Sequence, residues 1–303
     1  MPKKSLLVSA DKGEGQRLDV FLAPKLSDLS RSRIKSLIEN ENVLIDGKIR
    51  KSSYRLKKGE SIRVEYSFEA SEGIVPEDIP LSILYRDEDI LVLNKPAGLV
   101  IHTGAGHKRH TLVHALLFHF PEIASVGPQE RPGIVHRLDK ETSGVLVVAL
   151  RPSVFSHLQQ QFKVREVEKT YLGLVKGRIL HPKGQIEWPI GRHPKHGERI
   201  SIRSDKPRDA LTFYSVRQLY REATFLEIKP VTGRMHQIRV HLSAAGHPLL
   251  GDSRYGSRKA DPKCPRLFLH ATRLSFHHPR SQDRMTFESP LPPDLQAYLD
   301  TLT

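Results

Sequence analysis

The sequence predicts an α+β fold: a small N-terminal module, then a larger domain with a mixed, mostly antiparallel sheet flanked by helices and loops. Three observations predict it. The chain has 303 residues, more than one average domain holds. Residues 67–80 are acidic and carry Pro76 and Pro80, a composition that disfavours helix and reads as an extended linker. Beyond it, strand-like segments follow one another at short separations, without the regular strand–helix alternation of a doubly wound parallel sheet. The expected boundaries are a module at 1–66, a linker at 67–80 and a larger domain at 81–303.

Within the module, residues 16–22 have a short amphipathic helical pattern. Ser30 stands as N-cap of a second helix through residue 38, because Ile34, Leu37 and Ile38 recur at i, i+3 and i+4. That face leaves Arg31, Arg33 and Lys35 mostly outside the core, where a solvated charged surface and a nucleic-acid contact are both open readings. Asp46-Gly47 after Val43-Leu44-Ile45 signals a hairpin turn, and residues 61–66 alternate as a strand. In the larger domain, the apolar runs at 90–94 and 145–150 read as buried strands, with further strands at 169–175, 211–219 and 224–230. Helices are expected at 111–118, at 153–165 and at 234–245, the last ended by Gly246 with Pro248 beyond it.

Hydrophobic residues make up 38% of the chain and charged residues 27%, enough for real cores under a well-solvated surface. Lysine and arginine number 48 against 34 acids, a formal net charge of +14 that points to a polyanionic partner. The single cysteine, Cys264, excludes an internal disulfide and a cysteine-rich zinc site. The N-terminal apolar stretch is too short for a signal peptide, and no uncharged run of ~18 apolar residues occurs, so a cytoplasmic protein without membrane contact is expected. The Gly104-Ala105-Gly106 loop lacks the lysine and spacing of a phosphate-binding loop, so no nucleotide cofactor is expected. Among 16 histidines, His110 and His114 are spaced to share an ion. His119 would point ~140° away around the helix, and no third ligand is evident nearby, so no metal is expected either.

Two segments carry the chemistry. Gly133-Ile134-Val135-His136-Arg137-Leu138-Asp139-Lys140-Glu141-Thr142-Ser143-Gly144 sets Asp139 two residues after an arginine, in a polar turn that feeds a buried strand. Such a turn can fix a reactive group on a cleft wall. No Ser–His pair, paired carboxylate or cysteine nucleophile clusters around it, which suggests single-carboxylate chemistry without naming the reaction. The second segment is Thr232-Gly233-Arg234-Met235-His236-Gln237-Ile238-Arg239-Val240-His241-Leu242. As a helix it puts His236, Arg239 and Ser243 on one face and Met235, Ile238 and Leu242 on a core face. Its arginines and histidines are either solvent-facing or satisfied by backbone carbonyls, or one arginine pairs with Asp139 and holds it ionised.

These segments, with Asn94-Lys95-Pro96-Ala97-Gly98-Leu99, stand in the order and spacing of the RluA-type pseudouridine synthases, and the chain resembles the RluD-like branch of that family. Residues 15–65 are similar to the S4 RNA-binding module, so the likeness spans essentially the whole chain. It implies isomerisation of uridine to pseudouridine in RNA, with large-subunit (23S) ribosomal RNA favoured by the S4-like module and the Gly104-Ala105-Gly106 loop. It also implies that Asp139 is the catalytic carboxylate, attacking the sugar C1′ or abstracting a ribose proton. By motif position Arg239 resembles its ion partner, Arg137 the arginine that fills the gap left by an extruded base, and Tyr171 the aromatic that packs on the target uracil. Taken alone, a tyrosine at this place is more often an ordinary sheet residue. Leu269 lies where the family closes the uracil pocket, Arg31, Arg33 and Lys35 fall to RNA binding, and Lys95 to a structural, backbone-orienting part. The rival expectations are a transfer-RNA pseudouridine synthase, a non-catalytic RNA-binding ribosome-assembly factor and a single-carboxylate RNA hydrolase or glycosidase. The binder has no need of Asp139, Arg137, Tyr171 and Arg239 together, and most glycosidases require two carboxyls.

Overall fold

The computed structural model describes residues 3–11, 13–26, 29, 31–67, 74–104, 106–194, 196, 199–256 and 264–302, without the side chains of residues 3, 4, 31–33 and 67. The chain forms two units, Met1–Gly73 and Ile74–Thr303.

In the first unit, strand β1 (Lys3–Ser9) precedes helices α1 (Leu18–Leu22) and α2 (Arg31–Glu39), and strands β2 (Val43–Ile45), β3 (Lys48–Ile49) and β4 (Ser61–Ser67) follow. The strands form an antiparallel sheet in the order β1-β4-β2-β3. Ile34, Leu37 and Ile38 of α2 are buried against Leu18, Phe21 and Leu22 of α1 and against Val43, Ile45, Ile62 and Val64 of the sheet, as the helical spacing requires. Asp46 (φ 46°) and Gly47 (φ 74°) turn the β2–β3 hairpin in the left-handed region that these two residue types tolerate. The expected Ser30 cap and the Arg31 and Arg33 side chains lie outside the described residues. No pattern in the sequence singled out β1, because its Leu-Leu-Val run breaks the alternation and its partner strand lies more than fifty residues on.

Among its described residues the second unit contains eleven strands, β5 (Ile83–Arg86), β6 (Ile90–Lys95), β7 (Ser143–Ala149), β8 (Glu168–Lys176), β9 (Lys183–Ile186), β10 (Gly191–Arg192), β11 (Ile200–Ser201), β12 (Thr212–Leu219), β13 (Ala223–Pro230), β14 (Leu269–His277) and β15 (Arg284–Glu288). Its helices are α3 (Leu112–His119), α4 (Pro152–Val164), α5 (Gln237–Ala244) and α6 (Pro293–Asp300). Nine of the strands make one sheet in the order β5-β6-β7-β14-β8-β13-β12-β9, with β15 on β14. Among the described residues β7–β14 is the parallel pairing of this sheet and the others are antiparallel. The β7 strand is buried at every position because α3 and α4 pack with it in one core, through Leu112, Leu116, Phe155 and Leu158. A second core joins α5 to β8 and β13 through Ile238, Leu242, Val175 and Ile228. At the start of β7, Gly144 has φ 121°, and a Cβ there would stand 2.2 Å from the Ala271 carbonyl oxygen. Glycine lets β14 approach the end of the Asp139 turn. Among the described residues no helix is long and apolar enough to cross a membrane.

Part of the expected linker belongs to the larger unit. Ile74 packs on its core, the Glu77 N–H donates to the His114 carbonyl (3.1 Å), and the Glu77 carboxylate stands 2.6 Å from His110 Nδ1. Prolines keep this stretch extended, and an extended strap can exchange backbone bonds with α3 without breaking a helix. The remainder, 68–73, lies outside the described residues.

Candidate active site

Asp139 sits in the turn ahead of β7, where its carbonyl accepts the Thr142 N–H at 3.1 Å. The chain alternates there: Leu138 is buried in the core, Arg137 is exposed, and the Asp139 carboxylate lines a cleft of about 480 Å³ together with Arg137, Tyr171, Arg239 and Leu269. Lys95 braces this turn from behind. Its side chain is 1% exposed, and its three ammonium N–H bonds go to the carbonyls of Pro96 (2.7 Å), Leu99 (2.9 Å) and Lys140 (3.1 Å). Burial pulls that ammonium down to about 7, against the attraction of Glu141 and Asp139. His136 is structural as well. It accepts the Val147 N–H at 3.0 Å, stacks on Phe162 at 4.6 Å, and burial pulls it down to about 3, so it is neutral.

Arg239 reaches Asp139 Oδ2 with one terminal nitrogen at 3.3 Å. Its stronger partner is Asp252, bound bidentately at 2.8 Å and 2.8 Å and also accepting the N–H groups of Arg254 (2.9 Å) and Tyr255 (3.0 Å). One guanidinium is thus fixed by a buried carboxylate and offers its free edge to the carboxylate in the cleft. His236 Nε2 lies 3.9 Å from the same Asp139 oxygen, and its Nδ1 meets the Tyr255 hydroxyl at 2.8 Å. That hydroxyl also accepts the Ile200 N–H (3.1 Å), which ties His236 and Tyr255 to β11. Tyr171 lies along the cleft on β8. Burial pushes its hydroxyl up, and the Asp139 charge adds to this, so the phenol stays protonated. Leu269 is 3% exposed at the floor.

The helix expected at 234–245 is shorter. α5 begins at Gln237, because His236 adopts a left-handed backbone (φ 54°) that no α-helix continues through. The preceding turn is tied by the Gln237 side chain, which accepts the Thr232 hydroxyl (2.6 Å) and the Arg234 N–H (3.1 Å) and donates to the Leu211 carbonyl (3.0 Å). As a result Met235, expected in the core, is 37% exposed and lines the cleft, and His236 stands ahead of the helix. His110, His114 and His119 tie α3 to residues 77–79. Among the described residues no group of three or more histidine, cysteine, aspartate or glutamate side chains is placed to hold a metal.

The family model of RNA pseudouridylate synthases matches residues 89–244, which contain every cleft residue named above except Leu269. The chain belongs to the RNA pseudouridylate synthase family. The S4 domain model matches residues 16–62 of this synthase. It is similar to an "Uncharacterized RNA pseudouridine synthase" of Aquifex aeolicus, 44% identical over 91% of this chain and 90% of that one. It is similar also to "Ribosomal large subunit pseudouridine synthase D" of Xanthomonas campestris pv. campestris, 40% identical over 97% of this chain and 91% of its relative. Among solved structures it resembles human RNA pseudouridylate synthase domain containing 1, with TM-score 0.60 and 33% identity over 73% of this chain and 89% of that one.

The structure brings Asp139, Arg137, Tyr171, Arg239 and Leu269 to one cleft. Sequence reasoning missed Asp252 and Tyr255. For Asp252 only a general signal was present: a guanidinium buried in an apolar helix has more N–H bonds than one carboxylate edge can accept, so a further acceptor was needed, without its identity or position.

Proposed function

We propose that the synthase converts uridine to pseudouridine in large-subunit ribosomal RNA, in the cytoplasm, with Asp139 as its catalytic carboxylate. The observation that carries this reading is the 3.3 Å pairing of Arg239 with Asp139 inside a cleft whose aromatic wall is Tyr171. A uridine in a stem must leave its stack to expose C1′ and C5, at a cost of a few kcal/mol. Stacking on Tyr171 offsets that cost, and exposed Arg137 is suited to fill the vacated place in the helix, because a planar guanidinium both stacks on bases and binds phosphate. With the Tyr171 hydroxyl held neutral, the anionic work falls to Asp139. Ribosomal RNA is favoured by the S4 match and by the relatives named for the large ribosomal subunit. Mapping pseudouridines across total RNA from cells deleted for this gene tests the substrate. Sites are expected to vanish from large-subunit ribosomal RNA, whereas loss from transfer RNA alone overturns the assignment.

We assign Arg31, Arg33 and Lys35 to RNA binding. Lys35 is exposed and, among the described residues, paired with exposed Glu39 at 3.4 Å, a contact that water and salt screen. A chain carrying Arg31→Ala, Arg33→Ala and Lys35→Ala is expected to bind RNA more weakly. Its log–log salt slope should be shallower by about 2–3, since each phosphate contact contributes roughly 0.7–0.9. An unchanged slope in a filter-binding titration removes these residues from the interface.

A further inference from the structure

Lys169 lines the same cleft two residues before Tyr171 on β8, so both side chains leave the strand on one face, about 6.6 Å apart along it. Its ammonium lies beside Gly233, where a Cβ would stand 3.9 Å from Nζ, and it acts electrostatically on buried His136. Among the described residues no carboxylate, carbonyl or hydroxyl bonds this ammonium, although the side chain is half-buried. Desolvation, with the Arg165 charge adding to it, pulls it down to about 8, so it is still a cation at neutral pH. A desolvated charge without a counter-charge is costly, and such groups are retained where a ligand supplies the missing partner. The cleft carboxylate, Asp139, is paired with Arg239. Lys169 does not take part in that pairing.

We propose that Lys169 is a catalytic residue that binds the uracil carbonyl edge and neutralises the negative charge the base carries while it is detached from the sugar. The inference rests on the functional reading above. Whether Asp139 attacks C1′ or removes a ribose proton, the C1′–N1 bond breaks with its electron pair left on uracil, shared by N1, O2 and O4. After rotation, C5 supplies the pair for the new C5–C1′ bond, which forms as the Asp139–C1′ bond breaks in the first route, or as Asp139 returns the ribose proton it removed in the second. The C5 proton is released and N1 takes one up, so the base is an isomer of the one that left. Asp139 serves the sugar side of these events and can only repel the departing base. A fixed cation on the Tyr171 side stabilises it, as preorganised donors do wherever charge develops.

The test uses the full chain and an unmodified large-subunit ribosomal RNA transcript, tritiated at uridine C5. For Lys169→Met, the single-turnover rate of tritium release at saturating enzyme is expected to fall about 10²–10³-fold, the loss typical of one such donor, with RNA affinity unchanged. Thermal stability should hold or rise, because the variant removes a desolvated cation. Lys169→Arg should recover part of the rate. In RNA carrying 5-fluorouridine, whose base leaves as a weaker base, consumption of the fluorinated nucleoside should show a smaller deficit for Lys169→Met. Reduced affinity with an unchanged rate at saturation makes Lys169 a phosphate anchor and overturns the proposal, as does an equal deficit on both RNAs. Loss of stability in both variants assigns Lys169 to the fold and overturns it too. An inactive wild-type chain sinks the functional reading itself, whereas an active wild type matched by Lys169→Met sinks this inference alone.

Discussion

Asp139→Asn is expected to bind RNA and fail to convert it. The amide keeps the size of the carboxylate, so the turn braced by Lys95 and the Thr142 N–H stays as it is. Arg239 does not become an orphan, because its bidentate bond to Asp252 is untouched. The cleft loses one negative charge among cations, so affinity for a polyanion should hold or rise slightly. What disappears is the one carboxylate among the described residues that line the cleft. Removing the central reactive group of a single-residue mechanism costs roughly 10⁴-fold or more in turnover. Tritium release from 5-labelled uridine RNA reads this directly, and turnover near that of the wild type would remove Asp139 from the reaction.

Arg239→Met is expected to damage both the fold and the reaction, and the two effects can be separated. Asp252 is 2% exposed, so the variant buries a carboxylate without its cation, a change that costs ~3–5 kcal/mol. In the native chain burial pushes the Asp252 carboxyl up, but Arg239 and the N–H groups of Tyr255 and Arg254 outweigh it and hold it below the usual range. A carboxyl depressed on folding contributes stability that is present above its unfolded value of about 4 and lost as the pH falls through the folded value. Without Arg239 the sign inverts. The unpaired carboxyl shifts upward, so the penalty is greatest near neutral pH and shrinks as acid protonates it. Urea unfolding should therefore show a wild-type advantage that narrows between pH 7 and pH 4.5. Adding Asp252→Asn, which still accepts the Arg254 and Tyr255 N–H groups, should return much of the stability. It should not return the activity, because Asp139 still lacks the guanidinium that orients it, and misplacement of a reacting group by about 1 Å costs on the order of 10²-fold. A double variant with full activity would show that Arg239 serves only Asp252.

Local patterns were legible where neighbours in sequence decide the structure. The apolar run of β7, the i, i+3, i+4 face of α2 and the Asp46-Gly47 turn each fold as their own residues dictate. Asp139, Arg137 and Tyr171 were named from motifs and lie in one cleft. Legibility failed where a distant partner decides. The β1 strand is completed by β4, the helical pattern at 234–236 yields to the Gln237 network, and residues 74–80 bind α3 instead of spanning free. Asp252 belongs with these. Its carboxylate and the Arg239 guanidinium meet only because the chain returns after α5, an event no local spacing records.

Pseudouridine mapping in cells deleted for this gene and complemented with either the wild-type chain or Asp139→Asn joins the substrate to the carboxylate in one measurement. The expected result is that large-subunit ribosomal RNA sites lost in the deletion return with the wild type and stay uridine with Asp139→Asn. Restoration of those sites by Asp139→Asn, or their persistence in the deleted strain, contradicts it.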